Sequence, residues 1–329
     1  MDTDLLRDIV RPQHVQRGVM EVDEDACTRC GLCVDNCPFK CWEMEEGGIP
    51  ELRDDYICFS CGNCMIACPT EAISIVETYR VTGGFWATEP HPLPVKMPLK
   101  PRDGDGNLDE WNAVERAVLN RRSVRNFTDE PVSEHLIRRV LEAGRFAPSA
   151  GNCQPWQFVV ITDKALIAKM DEAVVTMMRG LWAAYKDDEA VMGMGPVAET
   201  TPYAFEPRAL WGGVGTIVRG EMLASLGAPC VILLAADARA ISGPHLNIGI
   251  CGQNMNLVAN SLGIRACWNG FLVSGVPAIA DKIDLKPNWG VITTLVLGWP
   301  RFKQDGMVAR EYRPVMWLRE GSDAVELEE

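Results

Sequence analysis

Thiolate sulfur is the natural ligand for soft metals and iron–sulfur cores, and this 329-residue chain concentrates it near one end. Eight of its 13 cysteines stand in two copies of one phrase, "CTRCGLCVDNCP" from Cys27 and "CFSCGNCMIACP" from Cys58. Cys27, Cys30, Cys33 and Cys37 follow C-x2-C-x2-C-x3-C-P, and Cys58, Cys61, Cys64 and Cys68 repeat it 31 residues later, with Pro38 and Pro69 in step. Three thiolates at this spacing wrap one side of a four-iron cube, while the fourth, turned away by the proline, reaches the cube of the other copy. The spacing therefore assigns Cys27, Cys30, Cys33 and Cys68 to one 4Fe–4S cluster, and Cys58, Cys61, Cys64 and Cys37 to a second. Zinc also uses C-x2-C pairs, but it needs two of them for one tetrahedral site and leaves the other cysteines in this order without a use. Gly31 and Gly62, between cysteines, suit a backbone that turns tightly around an inorganic core. Cys41, which has no counterpart in the second copy, reads as a packing residue rather than a ligand.

A second chemical cluster is "RRSVRNF". Arg121, Arg122 and Arg125 with Ser123 match the oxygens of a phosphate monoester, because guanidinium forks pair with phosphate and the hydroxyl adds a neutral donor. Basic residues also suit the C-terminus of the helix that the spacing of Trp111, Val114, Ala117 and Val118 predicts from near Leu108. Charge alone does not choose between the two. A further helix, capped by Ser133 with Leu136, Ile137, Val140 and Leu141 on one face, leads to "APSAGNCQPWQFVVIT", which ends in a strand. Later, "NIGICGQNMNLVANSLGIRACWNGF" predicts a long helix, a glycine stop and a short strand, and "VITTLVLGWPRF" a buried strand.

Composition bounds the rest. A hydrophobic fraction of 47% with 23% charged residues is that of a folded globular protein, and the length favours a small domain joined to one of ordinary size. We expect boundaries at residues 1–80, a proline-rich connector at 81–108, and a larger domain at 109–329. Five prolines between Pro90 and Pro101 make the connector stiff. Within it, "DGDGNLDE" imitates a calcium loop, but Leu108 and Val114 stand where glycine and glutamate are needed, so it reads as an acidic turn. The opening "MDTDLLRDIV" lacks the basic and apolar regions of a secretory signal, and no apolar run approaches membrane length, so a cytoplasmic location without membrane contact is expected. Net charge is −13, with 16 acidic against 7 basic residues in the first 80, which argues against nucleic acid. "GMGPVA" and "GGVGTI" each lack the third glycine of a dinucleotide fingerprint.

The cysteine phrase resembles bacterial two-cluster ferredoxins over about residues 20–77. From about Glu115 to Trp317 the chain resembles the nitroreductase family of FMN enzymes, through R-x-S-x-R at Arg121–Arg125, A-P-S-x-x-N-x-Q-P-W at Ala147–Trp156 and "CWNGF" at Cys267–Phe271. The resemblances imply an α+β chain, a nitroreductase-like FMN-binding α/β sandwich behind a small two-cluster ferredoxin-like domain. They imply that Arg121, Arg122, Ser123 and Arg125 hold the FMN phosphate and ribityl chain. Pro148, Ser149 and Asn152 would approach the ring across a homodimer interface, the Gly270 amide would point at flavin N5 with Asn269 beside it, and Arg310 and Arg313 would add cations. Joined, the parts imply an oxidoreductase: a low-potential donor such as ferredoxin or flavodoxin supplies single electrons through two 4Fe–4S clusters, and FMN delivers them in pairs to an electron-poor nitroaromatic, quinone or enone. His245 and Tyr203 are the nameable proton donors. Trp182, Tyr185, Tyr203, Phe205 and Trp211 form either an aromatic substrate wall or core. A substrate-oxidising dehydrogenase, a reductive dehalogenase and a non-catalytic redox carrier share the same motifs.

Overall fold

The computed structural model describes residues 14–83, 86–88, 93, 103–194, 206, 208–304, 310, 315–321 and 326–328. Tyr203, Phe205, Arg313 and most of the proline-rich connector lie outside them.

The cysteine repeat becomes a structural repeat. Six short strands, β1 (Val15–Gln16), β2 (Val19–Val22), β3 (Trp42–Glu43), β4 (Glu51–Leu52), β5 (Ile73–Glu77) and β6 (Arg80–Val81), pair antiparallel as β1 with β6, β2 with β5 and β3 with β4. Each copy of the phrase forms one five-residue helix, Leu32–Asn36 and Asn63–Ala67. Gly31 and Gly62 enter these helices at φ 72°, a left-handed conformation open to glycine without strain. Cys37 and Cys68 leave them at the same φ of −74°. The apolar interior is small: Met20, Trp42, Ile73 and Ile75 pack with Cys33, Cys37, Cys41, Cys58 and Cys64. A core of this size supplies little stability by apolar burial alone.

The larger domain is a sheet between two helical layers. Strands β7 (Trp156–Ile161), β8 (Cys230–Asp237), β9 (Arg265–Asn269) and β10 (Trp289–Gly298) run in the order β7-β8-β10-β9, every neighbouring pair antiparallel. Side chains alternate across a strand, and β8 fills both faces. Cys230, Ile232 and Leu234 meet Ile137 and Val140 of the helix Glu134–Arg145 and Ile248, Met255 and Ala259 of the helix Pro244–Ser261. Val231 and Leu233 meet Ile167, Met170 and Val174 of the helix Lys164–Ala184, with Leu272 of the 3-10 segment Phe271–Lys282. Each such side chain contributes about 1.5–3 kcal/mol by leaving water, so β8 anchors both layers. This agrees with the expected α+β sandwich.

Two local expectations shift. The first helix of this domain begins at Ala113, not near Leu108, because Asn112 Oδ1 accepts the amides of Val114 (2.9 Å) and Glu115 (3.0 Å) while Glu115 Oε2 accepts the Asn112 amide (2.7 Å). This capping box fixes the start. Ser133 takes the expected cap position, but its hydroxyl makes no capping bond. The acidic turn closes on itself: Asp103 Oδ1 accepts the amides of Asp105 (3.0 Å) and Asn107 (2.8 Å). Near the C-terminus β11 (Val315–Trp317), whose residues are exposed, pairs antiparallel with β12 (Glu326–Glu328).

The two units are held together by polar and aromatic contacts. Asn36, fully buried one residue before Cys37, accepts Asn126 Nδ2 (3.1 Å) and Gln304 Nε2 (3.0 Å) at its Oδ1. Arg53 pairs with Glu221 at 3.5 Å. Phe59 presses against the π-helical turn Arg208–Val214 at Gly212, where a Cβ would fall inside the phenyl ring's contact radius.

Candidate functional site

Cys27, Cys30, Cys33 and Cys68, drawn from both copies of the phrase, line one cavity together with Gly31, Pro50 and Ile73. Burial pushes the Cys33 thiol up to about 11, and Cys30 and Cys68 lie close enough to add to it. The other set is also assembled. Burial raises Cys64 well above the usual thiol range, and Cys61, Cys58 and Cys37 each act on it. Cys41 sits between Cys37 and Cys58. Its single S–H is within reach of either sulfur, and that contact lowers Cys37 to about 6 and lowers Cys58; the Ile57 carbonyl, 3.4 Å from the same sulfur, is an alternative acceptor. Among the described residues, no three His, Cys, Asp or Glu side chains are close enough to hold a single metal ion. A four-iron cube takes its thiolates from a wider ring, one at each corner. The four thiols gathered in the first cavity are a donor set chemically suited to an iron–sulfur cube.

The arginine cluster divides in two. Arg122 is buried and donates its Nη1 to the carbonyls of Leu119 (2.7 Å) and Arg121 (2.9 Å), so it serves the end of the helix Ala113–Asn120. Arg121 and Arg125 point elsewhere. Arg121 Nη1 meets the Ser123 hydroxyl at 3.4 Å, and neither guanidinium has a carboxylate partner among the described residues. Burial lowers the Arg121 pKa, and Arg310 and Arg125 nearby lower it further. Arg121 and Arg125 thus flank Ser123, with Arg310 near enough to act on Arg121, a cradle suited to a doubly charged phosphate. Ser123 bridges to Ala266 of β9, which ties this cradle to the sheet edge.

Beside the cradle lies a cavity of about 280 Å³, and it is lined by both units. The larger domain gives Arg125, Met222, Leu226, Cys267, Asn269 and Gly270, while the cysteine-rich unit gives Phe39 and Phe59. Gly270 has φ −76°, so its glycine is not needed for backbone conformation, but nothing lies within 4 Å of where its Cβ would be. The backbone there faces open space, which fits a flat ring laid against it. Asn269 beside it is committed to the scaffold: its Oδ1 accepts the amides of Phe271 (3.1 Å) and Leu272 (3.4 Å), and its Nδ2 donates to the Ala224 carbonyl. Ala224 is positioned in turn by Ser225, whose amide and hydroxyl both bond the buried Asp171, at 2.7 and 2.6 Å. A chain of bonds from Asp171 to Asn269 therefore sets Gly270 in place.

The cavity adjoins the second cysteine set. Burial pushes Cys61 up to about 11, while the Arg125 guanidinium across the interface pulls the other way. Arg125 also borders a polar cleft of about 630 Å³ between the units, lined by Asp35, Lys40, Asp129, Glu221 and Arg301 among others.

Other predicted residues lie apart. Pro148, Ser149 and Asn152 sit on the loop around the 3-10 turn Ala150–Asn152, and none lines the cavity. His245 is exposed in the first turn of the helix Pro244–Ser261 and does not line it either. Of the middle segment's aromatic residues that the structure describes, Trp182 and Trp211 meet edge to face at 5.0 Å, and Tyr185 is buried with Val191 and Leu210. Of the residues that do line the cavity, sequence reading missed Phe39, Phe59, Met222 and Leu226. The first two follow cluster cysteines directly or by one residue, which is the signal that marks them.

A model of the nitroreductase family matches residues 118–299, and a model of a 4Fe-4S dicluster domain matches residues 26–73. The chain is similar to a 5,6-dimethylbenzimidazole synthase of Rhodospirillum rubrum, 41% identical over 211 residues that cover 61% of this chain and 83% of that protein. It is also similar to a nitrobenzene nitroreductase of Ectopseudomonas oleovorans, 26% identical over 202 residues, covering 56% and 86%. A solved nitroreductase with bound FMN from Desulfitobacterium hafniense aligns at TM-score 0.47 and 21% identity, covering 61% of this chain and 96% of that one. Among the described residues no helix is long and apolar enough to cross a membrane.

Proposed function

The chain belongs to the nitroreductase family, and from that premise we propose that it is an FMN-dependent oxidoreductase whose cysteine-rich domain feeds it electrons through two 4Fe–4S clusters, for the reduction of an electron-poor organic molecule. The observation that carries this reading is the shared cavity, bounded on one side by Gly270 and Arg125 and on the other by the loops that follow Cys37 and Cys58. A separate electron carrier has no reason to fix its cysteine loops at the mouth of a ring-sized pocket.

Bound FMN supplies the exchange between single-electron carriers and two-electron reduction, and the clusters supply the single-electron traffic. The chain's own residues do the rest. Arg121, Ser123 and Arg125, with Arg310, hold the phosphate; Arg122 steadies the helix that presents them. Gly270 leaves room for the ring, and Met222, Leu226 and Phe271 keep water from it. Cys27, Cys30, Cys33 and Cys68 hold one cluster, and Cys37, Cys58, Cys61 and Cys64 the other. His245 lies away from the cavity and is not placed to protonate product. The loop of Pro148, Ser149 and Asn152 is free to complete the pocket of a second copy in a homodimer. A ferredoxin or flavodoxin fits as donor, and the nitrobenzene nitroreductase relative supports a nitroaromatic as acceptor.

The test is composition followed by turnover. Anaerobically reconstituted chain should carry about eight iron atoms and about one FMN, and its dithionite-reduced form should be reoxidised by a nitroaromatic or quinone in stopped flow. Reduced protein that never loses electrons to any such acceptor refutes the reading. A second reading draws on the 41% identity to a 5,6-dimethylbenzimidazole synthase, namely formation of a benzimidazole. Mass spectrometry of the reaction mixture for that product separates the two.

A further inference from the structure

We propose that the cysteine-rich domain is part of the flavin site itself, with Phe39 and Phe59 forming a wall against which the isoalloxazine ring lies. The inference rests on FMN being the cofactor and adds binding residues from outside the nitroreductase domain.

Four observations carry it. Both phenylalanines line the same cavity as Gly270, Cys267 and Arg125, so a ring extending from the arginine cradle across Gly270 meets them. Their rings touch, with centroids 4.1 Å apart at an interplanar angle of 57°, and Tyr79 closes on Phe59 edge to face at 5.9 Å. Phe59 is wedged against Gly212, while the adjacent Gly213 receives Phe271 in the same way. This glycine pair belongs to the "GGVGTI" stretch that fails as a nucleotide fingerprint; its role here is to admit two phenyl rings at the pocket edge. Finally, Phe59 follows Cys58 directly and Phe39 follows Cys37 by one proline, so both wall residues are tethered to ligands of the same cluster. Side chains pinned in this manner lose little freedom when a planar ligand arrives, which favours stacking.

The test measures flavin affinity, not turnover. Flavin-free, iron-loaded full-length protein is titrated with FMN and with riboflavin, following flavin fluorescence, for the parent and for Phe59→Leu and Phe39→Leu. Leucine keeps apolar bulk and removes the aromatic face. The dissociation constants for FMN and riboflavin should rise by the same factor, about three- to tenfold, the range that one aromatic contact gives. Iron content should equal that of the parent. Arg125→Ala provides the contrast, weakening FMN far more than riboflavin because it acts on the phosphate. Variants indistinguishable from a flavin-binding parent overturn the proposal and leave the function reading standing. Weakening of FMN alone also overturns it, since that places the effect at the phosphate. A parent that binds neither flavin overturns the cofactor reading and the wall with it.

Discussion

Removing Arg121 should stabilise the empty protein and weaken the loaded one. In the flavin-free chain its guanidinium is half-buried near Arg125 and Arg310, with a long bond to the Ser123 hydroxyl and no carboxylate partner among the described residues. Burial is the larger cause of its lowered pKa and like charge the next, and both mean that the charged form is held at a cost. Arg121→Gln keeps much of the stem and deletes the charge. Relief of repulsion among partly exposed charges is worth about 0.5–1 kcal/mol, or about 1–4 °C in the midpoint of a domain of this size. With phosphate bound the sign reverses. A charge-assisted hydrogen bond contributes about 1.5–3 kcal/mol, so FMN affinity should fall roughly ten- to 150-fold. Thermal melts of the flavin-free variant, followed by fluorescence titration with FMN at low and high salt, read both numbers. A flavin-free variant that melts below the parent, or one that binds FMN as the parent does, refutes the cradle argument. Sites built to bind are often strained when empty, and opposite signs in the two assays are their mark.

Other outcomes follow from the same geometry. If the cysteine sets are crossed, Cys27→Ser with Cys68→Ser removes one cluster and leaves about half of the iron, whereas Cys27→Ser with Cys58→Ser removes nearly all of it; iron assay and EPR decide. Asn36→Leu takes the Oδ1 acceptor from Asn126 and Gln304, costing about 1–3 kcal/mol of the contact between units, visible as an earlier urea transition of the cysteine-rich domain. Asp171 has its pKa raised, chiefly by burial and against the bonds from Ser225. The folded chain therefore keeps this proton to higher pH than the unfolded chain, so stability from this group falls as pH rises from the unfolded carboxyl value near 4 through the raised folded one. Asp171→Asn should flatten that fall in urea midpoints measured between about pH 3.5 and 6.5.

What could be read from the sequence was local. The cysteine phrase carries its own offset, and Gly31 and Gly62 announce the left-handed turns that the repeat adopts. The strand that closes "APSAGNCQPWQFVVIT" is found at Trp156–Ile161. The cap at Asn112 was legible too, since Asn-x-x-Glu stands in the text; the apolar period simply drew the helix start too early. The cavity wall was not legible. Phe59 meets Gly212, and Asn36 meets both Asn126 and Gln304, across separations that no periodicity spans. Arginine type alone likewise hid that Arg122 belongs to the helix end, because direction, not charge, separates it from Arg121 and Arg125.

The surface by which the small domain docks is made from Asn36, Phe39 and Phe59, neighbours of Cys37 and Cys58. Loops that wrap an inorganic core take their shape from it. If the cysteines hold iron–sulfur cores as proposed, removing the metal should loosen this docking face and, with it, the Phe39 and Phe59 side of the shared cavity.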